Sequence, residues 1–362
     1  MRVEHAATVR VEHAAELQID LGAIVANWQA LRVLHPTGPV AAIVKADGYG
    51  LGATEIARTL YDAGCRHIFT AHLREAIPLR PIAPDAMLAV LNGPWLGDEP
   101  AYRDHNILPV LGSLPEIDAW HGEALLHIDT GMNRLGLAAE EIQTLAAHPS
   151  RLAHLDLRYV MTHLAAAETP GDPLNETQRR RFAEARAALA LDHTPTSLAN
   201  SAGLFLGPAF ASDLARPGAA IYGVNPTPGR PNPMRPTATL RARILQTRRI
   251  PAGETVGYNG TWTAPRTSTI GTISVGYADG FLRSLSNRAE ACFDGVRVPL
   301  VGRVSMDLAT FDLTGTAAQA GDWLELLGST ITVDELAARA GTNGYEILTS
   351  LGPRYRRIYT KA

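Results

Sequence analysis

The strongest constraint on the fold is a regular alternation of short apolar runs and amphipathic segments between Leu17 and Thr227. Eight apolar runs have the length and composition of buried parallel strands. They are Val40–Val44, His67–Ala71, Met87–Leu91, Leu108–Leu111, Leu125–Ile128, Leu157–Thr162, Thr196–Ala199 and Ala219–Tyr222. The helical stretches between them include Ala53–Ala63, Glu140–Ala147 and Glu176–Leu191. The pattern predicts a (β/α)₈ barrel of the TIM type, although a doubly wound open sheet would give a similar pattern.

The composition of the sequence changes after Asn225. Five prolines crowd residues 226–236, which is typical of an interdomain linker. Beyond it we predict the strands Thr239–Ile250, Ser268–Val275, Val296–Val301 and Asp322–Leu327, and the helix Val333–Ala340 with Thr332 as its N-cap. We therefore predict a flexible N-terminal tail at 1–16, a barrel at 17–227 and a mostly β domain at 228–362. The tail contains a direct repeat, in which residues 2–7 recur as residues 10–15.

Composition excludes several classes of function. The net charge of −3 provides no basic surface for nucleic acid or anionic membrane. No apolar run reaches the roughly 18 residues that a membrane span needs, and charged residues interrupt the N-terminus, so we expect no signal peptide. The two cysteines, Cys65 and Cys292, and the spacing of the histidines predict neither a disulfide framework nor a metal site. We expect a cytoplasmic protein.

The segment Val40–Gly52 carries the chemistry of the barrel. Five apolar residues run directly into Lys45, and three glycines follow before the next predicted helix. The carboxyl end of a barrel strand is the active-site face, and burial there lowers the pKa of a lysine. A neutral amine of this kind is what Schiff-base chemistry requires. The alternative interpretation, a lysine that simply ends a strand in solvent, is not excluded by this segment alone.

The segment Val44–Gly50 (VKADGYG) resembles the cofactor-lysine motif of the alanine racemase family. The resemblance extends over nearly the whole chain, and it implies that Lys45 binds pyridoxal 5'-phosphate and that the substrate is alanine. The segment His127–Gly136 (HIDTGMNRLG) resembles a second motif, in which Arg134 contacts the substrate carboxylate. A planar guanidinium fork matches a carboxylate in shape and charge.

The same resemblance places further residues around the cofactor. His163 matches an active-site histidine, although a lone histidine is more often structural, and Glu168 matches an acidic position at the substrate entrance. Arg216 matches the arginine that faces the pyridine nitrogen; it stays protonated and so leaves that nitrogen unprotonated, which disfavours transamination. Barrel enzymes often bind phosphate in the loops after strands seven and eight. The remaining implied cofactor contacts are Tyr49, Asn200, Ser201, Gly218 and Ala219.

Three segments of the β domain, Val256–Trp262, Gly276–Arg283 and Gly302–Asp307, resemble family signatures, although each alone would be an ordinary turn. The first contains Tyr258, which matches a second catalytic base that reaches the active site from the partner subunit. The resemblance therefore implies a homodimer with shared sites and racemisation by two bases, Lys45 on the D face and Tyr258 on the L face. The other implied residues are Met306, whose N–H contacts the substrate, and Tyr277, Arg283, Arg303 and Asp307 around the entrance.

A hydrogen-bonded link from Tyr258 through His163 to Arg216 would assist the phenol, whose ordinary pKa is about 10. Like the roles above, this link is an expectation based on the resemblance.

The sequence departs from the family pattern at three positions. His127 stands where some members have a carbamylated lysine that braces the carboxylate-binding arginine, so water, an anion or His127 itself must position Arg134. Pro353 stands where many members have a tyrosine, and Tyr355 is a candidate replacement. Ser305 replaces a frequent cysteine and should not affect the chemistry.

Two other classes of protein fit the sequence less well. A different pyridoxal-phosphate enzyme, such as a decarboxylase, would need another substrate clamp and a Gly-rich phosphate loop, neither of which is visible; a periplasmic broad-specificity racemase would carry a signal peptide. A non-enzymatic cofactor-binding relative would consist of the barrel only. The sequence does not distinguish D-alanine synthesis for the cell wall from alanine catabolism, nor does it give the breadth of substrates.

Overall fold

The computed structural model describes residues 13–361, so the first twelve residues of the predicted tail lie outside the described part. The chain divides into two compact units. The barrel unit comprises residues 20–237 and 360–361, and the β unit comprises residues 13–19 and 238–359. Within residues 13–361, no helix has both the length and the apolar character to cross a membrane.

The first strand, β1 (Ala15–Asp20), belongs to the β unit, and the barrel unit follows it. Seven parallel strands are hydrogen-bonded in sequence order. They are β2 (Ala42–Ile43), β3 (His67–Thr70), β4 (Met87–Val90), β5 (Ile107–Leu111), β6 (Gly122–His127), β7 (Leu155–Met161) and β8 (Thr196–Ser197). The helices of this unit are Leu21–Leu34, Ala53–Asp62, Leu73–Ala76, Glu99–Asp104, Leu114–Ala119, Ala139–Ala147 and Pro173–Ala188. Inward-facing side chains such as Ile43, Phe69, Leu125 and Met161 form a buried cluster inside the barrel.

The eighth strand position of the barrel lies at Leu214–Arg216, and this corrects our prediction of Ala219–Tyr222. Backbone hydrogen bonds join Leu214 to Thr196 and Arg216 to Ala199 on one side. On the other side, Val40 and Ala215 form an isolated parallel bridge, which returns the sheet to β2. The run Ala219–Tyr222 is instead a 3₁₀ helix between Gly218 and the left-handed Gly223. The predicted barrel is therefore confirmed.

The β unit is built around the long strand β9 (Ala238–Ile250), which pairs antiparallel with β1, β12 and β16. The remaining strands are β10 (Thr255–Val256), β11 (Trp262–Thr263), β12 (Ser268–Ile273), β13 (Glu290–Phe293), β14 (Val296–Pro299), β15 (Ala309–Asp312), β16 (Trp323–Leu327) and β17 (Arg356–Thr360). The two helices are Val333–Ala340 and Gly344–Ser350. As predicted, Thr332 caps the first of them by accepting a hydrogen bond from the Glu335 N–H.

The boundaries differ from our prediction at both ends of the barrel. The division falls between Thr237 and Ala238 and not between 227 and 228, so the proline-rich segment is part of the barrel unit. Residues 15 and 16, which we assigned to the tail, begin β1, in which Ala15, Leu17 and Ile19 are buried. An alternating strand of six residues next to a charged repeat was not recognised from the sequence, because its partners, β9 and β17, lie more than 200 residues later in the chain.

Candidate active site

Lys45 stands at the end of β2, where the chain enters a left-handed helical turn. The φ and ψ angles of Ala46 are 53° and 50°, those of Asp47 are 54° and 48°, and those of Gly48 are 62° and 47°. Tyr49 continues the turn with a φ of 54°. Left-handed backbone costs roughly 1–2 kcal/mol for each residue with a side chain. Strain of this kind persists where the surrounding structure over-determines it, and functional sites are its usual location.

The carboxylate of Glu75 holds this turn against the end of the neighbouring strand. It accepts hydrogen bonds from the N–H of Ala46 at 2.9 Å, of Ala71 at 2.9 Å and of His72 at 3.1 Å. Burial lowers the pKa of Lys45, the guanidinium of Arg134 lowers it further, and Glu75 opposes both. In the described part of the chain, the Lys45 amine has no hydrogen-bond or ion-pair partner. The site therefore favours a neutral amine that is free to react.

A second part of the site surrounds the Tyr49 side chain. Its ring stacks on Tyr222 with a centroid distance of 4.5 Å, and the Tyr222 hydroxyl donates to the Ile43 carbonyl at 2.8 Å. A Cβ atom at Gly218 would lie only 2.1 Å from the Tyr49 oxygen, so only glycine fits there. Burial raises the pKa of Tyr49 to about 12, which keeps the hydroxyl a donor.

The loops after β8 and the eighth strand position meet at Ser201. Its hydroxyl oxygen accepts from the N–H of Gly218 at 3.0 Å and of Ala220 at 3.2 Å. Asn200 fixes the first loop by accepting from the Gly203 N–H at 2.9 Å and donating to the Leu164 carbonyl at 3.1 Å. Backbone N–H groups, two hydroxyls and the start of a short helical turn at Ala219 therefore converge beside Tyr49, and such a set can bind an anionic oxygen group.

Arg216 is a buried cation without a counter-ion. It is 4% exposed, and burial lowers its pKa to about 10. Its guanidinium donates to the Ser197 hydroxyl and, at 2.6 Å, to the Thr162 carbonyl. None of the carboxylates in residues 13–361 lies within ion-pair distance of it. Among the described residues no hydrogen bond joins Arg216 to His163, so this part of the expected link is not present in the structure.

Two histidines complete the basic lining of the barrel mouth. Burial, followed by the charges of Arg216 and Arg134, lowers the pKa of His163 to about 3. Burial and Arg216 likewise lower the pKa of His127 to about 4, against the opposing charge of Asp129. Both rings are therefore neutral at neutral pH. A neutral His127 carries no negative charge with which to replace a carbamate beside Arg134.

Arg134 lies on the loop that follows β6. Ile128 and Leu137 form an isolated β-bridge that closes this loop. The Asp129 carboxylate organises this loop by accepting from the N–H groups of residues 131, 132 and 133, each at 2.9 Å. The exposed guanidinium of Arg134 has no acceptor among the described residues. Its charge lowers the pKa of both Lys45 and His163. It is thus available for a ligand carboxylate. Glu168 lies on an exposed segment after His163.

A cleft of about 270 Å³ lies beside Arg134 and His127. Asn92, Gly112, Ser113 and the carboxylates of Glu116 and Glu141 also line it. Glu116 is tied to the barrel by the Gly112 N–H at 2.6 Å, and Glu141 accepts from the Leu114 N–H at 3.1 Å. The Arg134 guanidinium is therefore next to a cleft that a small ligand could occupy.

In the β unit, the three predicted segments are neighbours. Tyr258 begins a 3₁₀ turn between β10 and β11, and 70% of its side chain is exposed. A Cβ at Gly302 would lie 2.8 Å from the Val256 carbonyl, so the third segment runs directly against the first. The second joins the third through hydrogen bonds from the Tyr277 N–H to Ser305 and from the Ala278 N–H to Met306, both at 3.0 Å.

Several large side chains of these segments are exposed to solvent. Met306 is 54% exposed, and its backbone N–H has no acceptor within residues 13–361. Tyr277 is also exposed, and Arg283 begins the 3₁₀ helix that follows it. Asp307 forms an ion pair with Arg354 at 2.8 Å. Arg303 is partly buried in the loop that follows Gly302.

Tyr355 does not replace the tyrosine that is missing at Pro353. It is buried in the β unit, and its hydroxyl has no partner among the described residues. Burial and the charge of Asp279 raise its pKa. Tyr355 therefore belongs to the interior of the β unit and does not project from its surface.

Two family models match almost the entire described chain. The model described as "Alanine racemase, N-terminal domain" matches residues 19–226, and "Alanine racemase, C-terminal domain" matches residues 237–359. This chain belongs to the alanine racemase family. The resemblance inferred from the sequence motifs is thereby confirmed.

Individual members of the alanine racemase family match over nearly their full length. A protein named alanine racemase from Acidiphilium cryptum is 56% identical and covers 94% of this chain and 98% of its own length. One from Methylobacterium nodulans is 49% identical, with 95% of each chain covered. The crystal structure of alanine racemase from Bartonella henselae with covalently bound pyridoxal phosphate has a TM-score of 0.92 and 39% identity, covering 96% of this chain and all of that one.

The sequence analysis did not identify some of the residues that shape the candidate site and its surroundings. Glu75 stands three residues after His72, and this capping-box spacing could have drawn attention to it. Tyr222 was assigned to a strand, and Arg354, which bridges Asp279 and Asp307, was given no role. Gln178, on the helix Pro173–Ala188, had no recognisable signal in the sequence.

Proposed function

We propose that this chain is a pyridoxal-phosphate-dependent alanine racemase, an isomerase that interconverts L-alanine and D-alanine. The observation that carries the proposal is the set of groups at the barrel mouth. A free lysine amine with a lowered pKa faces the charge of an unpaired arginine, and a fully buried arginine lies beside a glycine-lined anion site. The family membership supports the same conclusion.

The described residues fit pyridoxal phosphate. Lys45 would supply the amine for its aldehyde, and Arg216 would supply a donor for its ring nitrogen. Tyr49, Ser201, Gly218 and Ala219 would hold the phosphate, at a place where a Cβ at Gly218 would fill the space that the Tyr49 hydroxyl uses. Asn200 holds the Ser201 loop in place, and His163 contributes a neutral ring beside the cofactor.

When bound, the cofactor withdraws electrons from the substrate α-carbon and makes its proton removable. The Lys45 Nζ then takes or returns this proton on the D face. Arg134 binds the substrate carboxylate, and the Met306 N–H contacts the same group. The phenol oxygen of Tyr258 serves the L face, with Tyr277, Arg283, Arg303, Asp307 and Glu168 around the entrance.

The proposal includes a homodimer in which Tyr258 and Met306 complete the site of the partner subunit. The exposed side chains of Tyr258, Tyr277 and Met306, on segments that contact one another, support it, since clusters of exposed apolar groups often mark interfaces. A symmetric dimer is the commonest oligomer. Two free, buried cysteines, one in each unit, support a reducing cytoplasmic location.

The deciding experiment is to incubate the protein with L-alanine, with and without added pyridoxal phosphate, and to measure D-alanine. D-alanine should form only with the cofactor present and should approach an equal mixture of the two enantiomers. A panel with serine and lysine measures substrate breadth, and faster turnover of either would favour a broad-specificity racemase. Absence of D-alanine would refute the proposal.

Two substitutions test the two bases. Lys45→Ala should abolish the yellow absorbance of the lysine-bound cofactor, and a retained, borohydride-sensitive yellow species would count against this assignment. Tyr258→Phe should lose α-proton exchange from L-alanine while partly sparing exchange from D-alanine. Equal loss from both enantiomers would contradict the assignment of one base to each face.

A further inference from the structure

The helix Pro173–Ala188 contributes one fully buried amide to the active-site side of the barrel. Gln178 is 0% exposed, and its amide makes three hydrogen bonds. Its oxygen accepts from the Ala165 N–H at 2.8 Å. Its nitrogen donates to the Thr130 hydroxyl at 3.0 Å and to the His163 carbonyl at 2.9 Å. Every partner lies on a loop that follows β6 or β7, the two loops that carry Arg134 and His163.

The network continues from Gln178 to the buried arginine. The hydroxyls of Thr130 and Thr162 are 2.8 Å apart, and both residues are buried. The carbonyl of Thr162 accepts the Arg216 guanidinium at 2.6 Å. Hydrogen bonds therefore connect the helix to Thr130, Thr130 to the Thr162 hydroxyl, and the backbone carbonyl of Thr162 to Arg216.

The loop that carries Arg134 is fixed at its first two residues. The Asp129 carboxylate binds three successive N–H groups of the loop, and Thr130 is bound through its hydroxyl by Gln178 and through its carbonyl by Arg181 at 3.1 Å. The Arg134 guanidinium itself has no bonded partner among residues 13–361. Its position consequently depends on how the start of the loop is anchored.

We propose that Gln178 is a positioning residue for binding of the substrate carboxylate. Gln178 fixes the Arg134 loop relative to the His163 loop and, through Thr130 and Thr162, relative to Arg216. This inference rests on the proposed function, because it states that Gln178 maintains the distance between Arg134, the proposed carboxylate-binding arginine, and Arg216, the arginine proposed to lie beside the cofactor ring. Gln178 touches neither substrate nor cofactor in this assignment. Its amide is suited to the task because both N–H groups and the oxygen are used at once.

The test uses the holoenzyme and propionate, which is alanine without its amino group and therefore reports on carboxylate binding alone. In Gln178→Leu, the Kd of propionate measured by calorimetry should rise about 2- to 30-fold, the range expected for a residue that acts through others. The KM for L-alanine should rise by a similar factor, whereas the cofactor absorbance should be retained. An unchanged propionate Kd would overturn the proposal.

Asn175→Leu is the matched control. Asn175 is a buried amide on the same helix, and it donates to the carbonyls of Ala166 and Thr169 but not to the Arg134 loop. It should lower the thermal midpoint as Gln178→Leu does and leave the propionate Kd within about twofold. Equal weakening of propionate binding in both variants would mean that helix damage is responsible, and it would overturn the proposal.

A substitution at Thr130 is a second, milder test of the same proposal, and it can be used if Gln178→Leu does not fold. Thr130→Val removes the hydroxyl that Gln178 binds and should weaken propionate to a similar degree, whereas Thr130→Ser should restore it. If Gln178→Leu does fold, the two effects should not add in the double variant, since they break one interaction; full additivity would overturn the proposal. A parent protein that binds propionate but forms no D-alanine would refute the proposed function and leave this test of Gln178 intact.

Discussion

The histidines His127 and His163 of the barrel mouth are neutral chiefly because burial disfavours the charged form of each ring. Burial is the larger cause for both, and Arg216 and Arg134 add to it. The charge of the mouth is therefore carried by arginine, whose protonation does not change over the working pH range. A site of this type keeps a constant positive charge for a phosphate and a carboxylate.

The histidines make the stability of the apoprotein dependent on pH. His163 has a pKa of about 3 in the folded chain, and a histidine in the unfolded chain titrates near 6.5. Between these values the unfolded chain binds more protons, so the free energy of unfolding falls as pH falls. From pH 7.5 to 5.5, His163 should account for a loss of about 1.4 kcal/mol. Urea titrations of the parent and of His163→Gln measure it, and an equal pH slope in both would contradict the assignment.

Glu75 should control the reactivity of the Lys45 amine. Its negative charge is the interaction that raises the lysine pKa against burial and Arg134. In Glu75→Gln, the rate at which the apoprotein captures pyridoxal phosphate should therefore reach half its maximum at a lower pH than in the parent. Glu116→Gln is the control, because Glu116 also binds a backbone N–H but lies in the cleft beside Arg134. A midpoint that stays in place or moves upward in Glu75→Gln would refute this role.

The candidate reactive residues could be proposed from the sequence, but the residues that hold them in place could not. Lys45 and Arg134 lie in contiguous motifs whose letters carry the resemblance. The left-handed turn after Lys45 contains Ala46 and Tyr49, residues that disfavour this conformation, so local propensity predicts the opposite of what tertiary contacts impose. Gln178 acts through residues 48 and 15 positions away, and no local pattern records such contacts.

The eighth strand position shows why one element was misplaced. The apolar run Ala219–Tyr222 has the composition of a strand, but Gly218 and Gly223 turn it into a 3₁₀ helix that ends in left-handed backbone. The true closing segment, Leu214–Arg216, is only three residues long and contains a buried arginine. Side chains also contribute to the closure, since the Ser197 hydroxyl donates to the Leu214 carbonyl at 2.6 Å.

Asp213 should strengthen the closure between β8 and the eighth position. Its carboxylate accepts from the N–H of Thr196 at 2.7 Å and from the Thr196 hydroxyl at 2.8 Å. Asp213→Ala should lower the free energy of unfolding by about 1–2 kcal/mol, less than for a buried pair because Asp213 is exposed. Asp156→Ala, an exposed aspartate on β7 without a side-chain hydrogen bond among the described residues, should change it by less than about 0.5 kcal/mol. Equal effects in a urea titration would show that Asp213 does not support the closure.

For the whole molecule, the central expectation is that each active site uses two chains. Lys45 belongs to the barrel unit and Tyr258 to the β unit, so a variant can lack one base and retain the other. In the proposed dimer, a mixed pair of such variants contains one site with both defects and one site with none.

Subunit complementation tests this expectation directly. Lys45→Ala and Tyr258→Ala should each be inactive alone, whereas co-expression of the two should give about a quarter of the parental activity, because half of randomly assorted dimers carry one intact site. Racemisation is measured per total protein, with each variant expressed alone as the control. A mixture no more active than its components would mean that both bases come from the same chain.

The pairing of β1 with β9 has a consequence for synthesis on the ribosome. Ala15 pairs with Ala242, so the first strand emerges long before its partner. At about 5–20 residues per second, the wait is on the order of ten seconds or more. During that time the nascent chain carries an unpaired strand with alternating apolar side chains, the kind of edge that chaperones protect. The C-terminal sheet, which holds the earliest residues of the described chain, is thus among the last parts of the protein to be assembled.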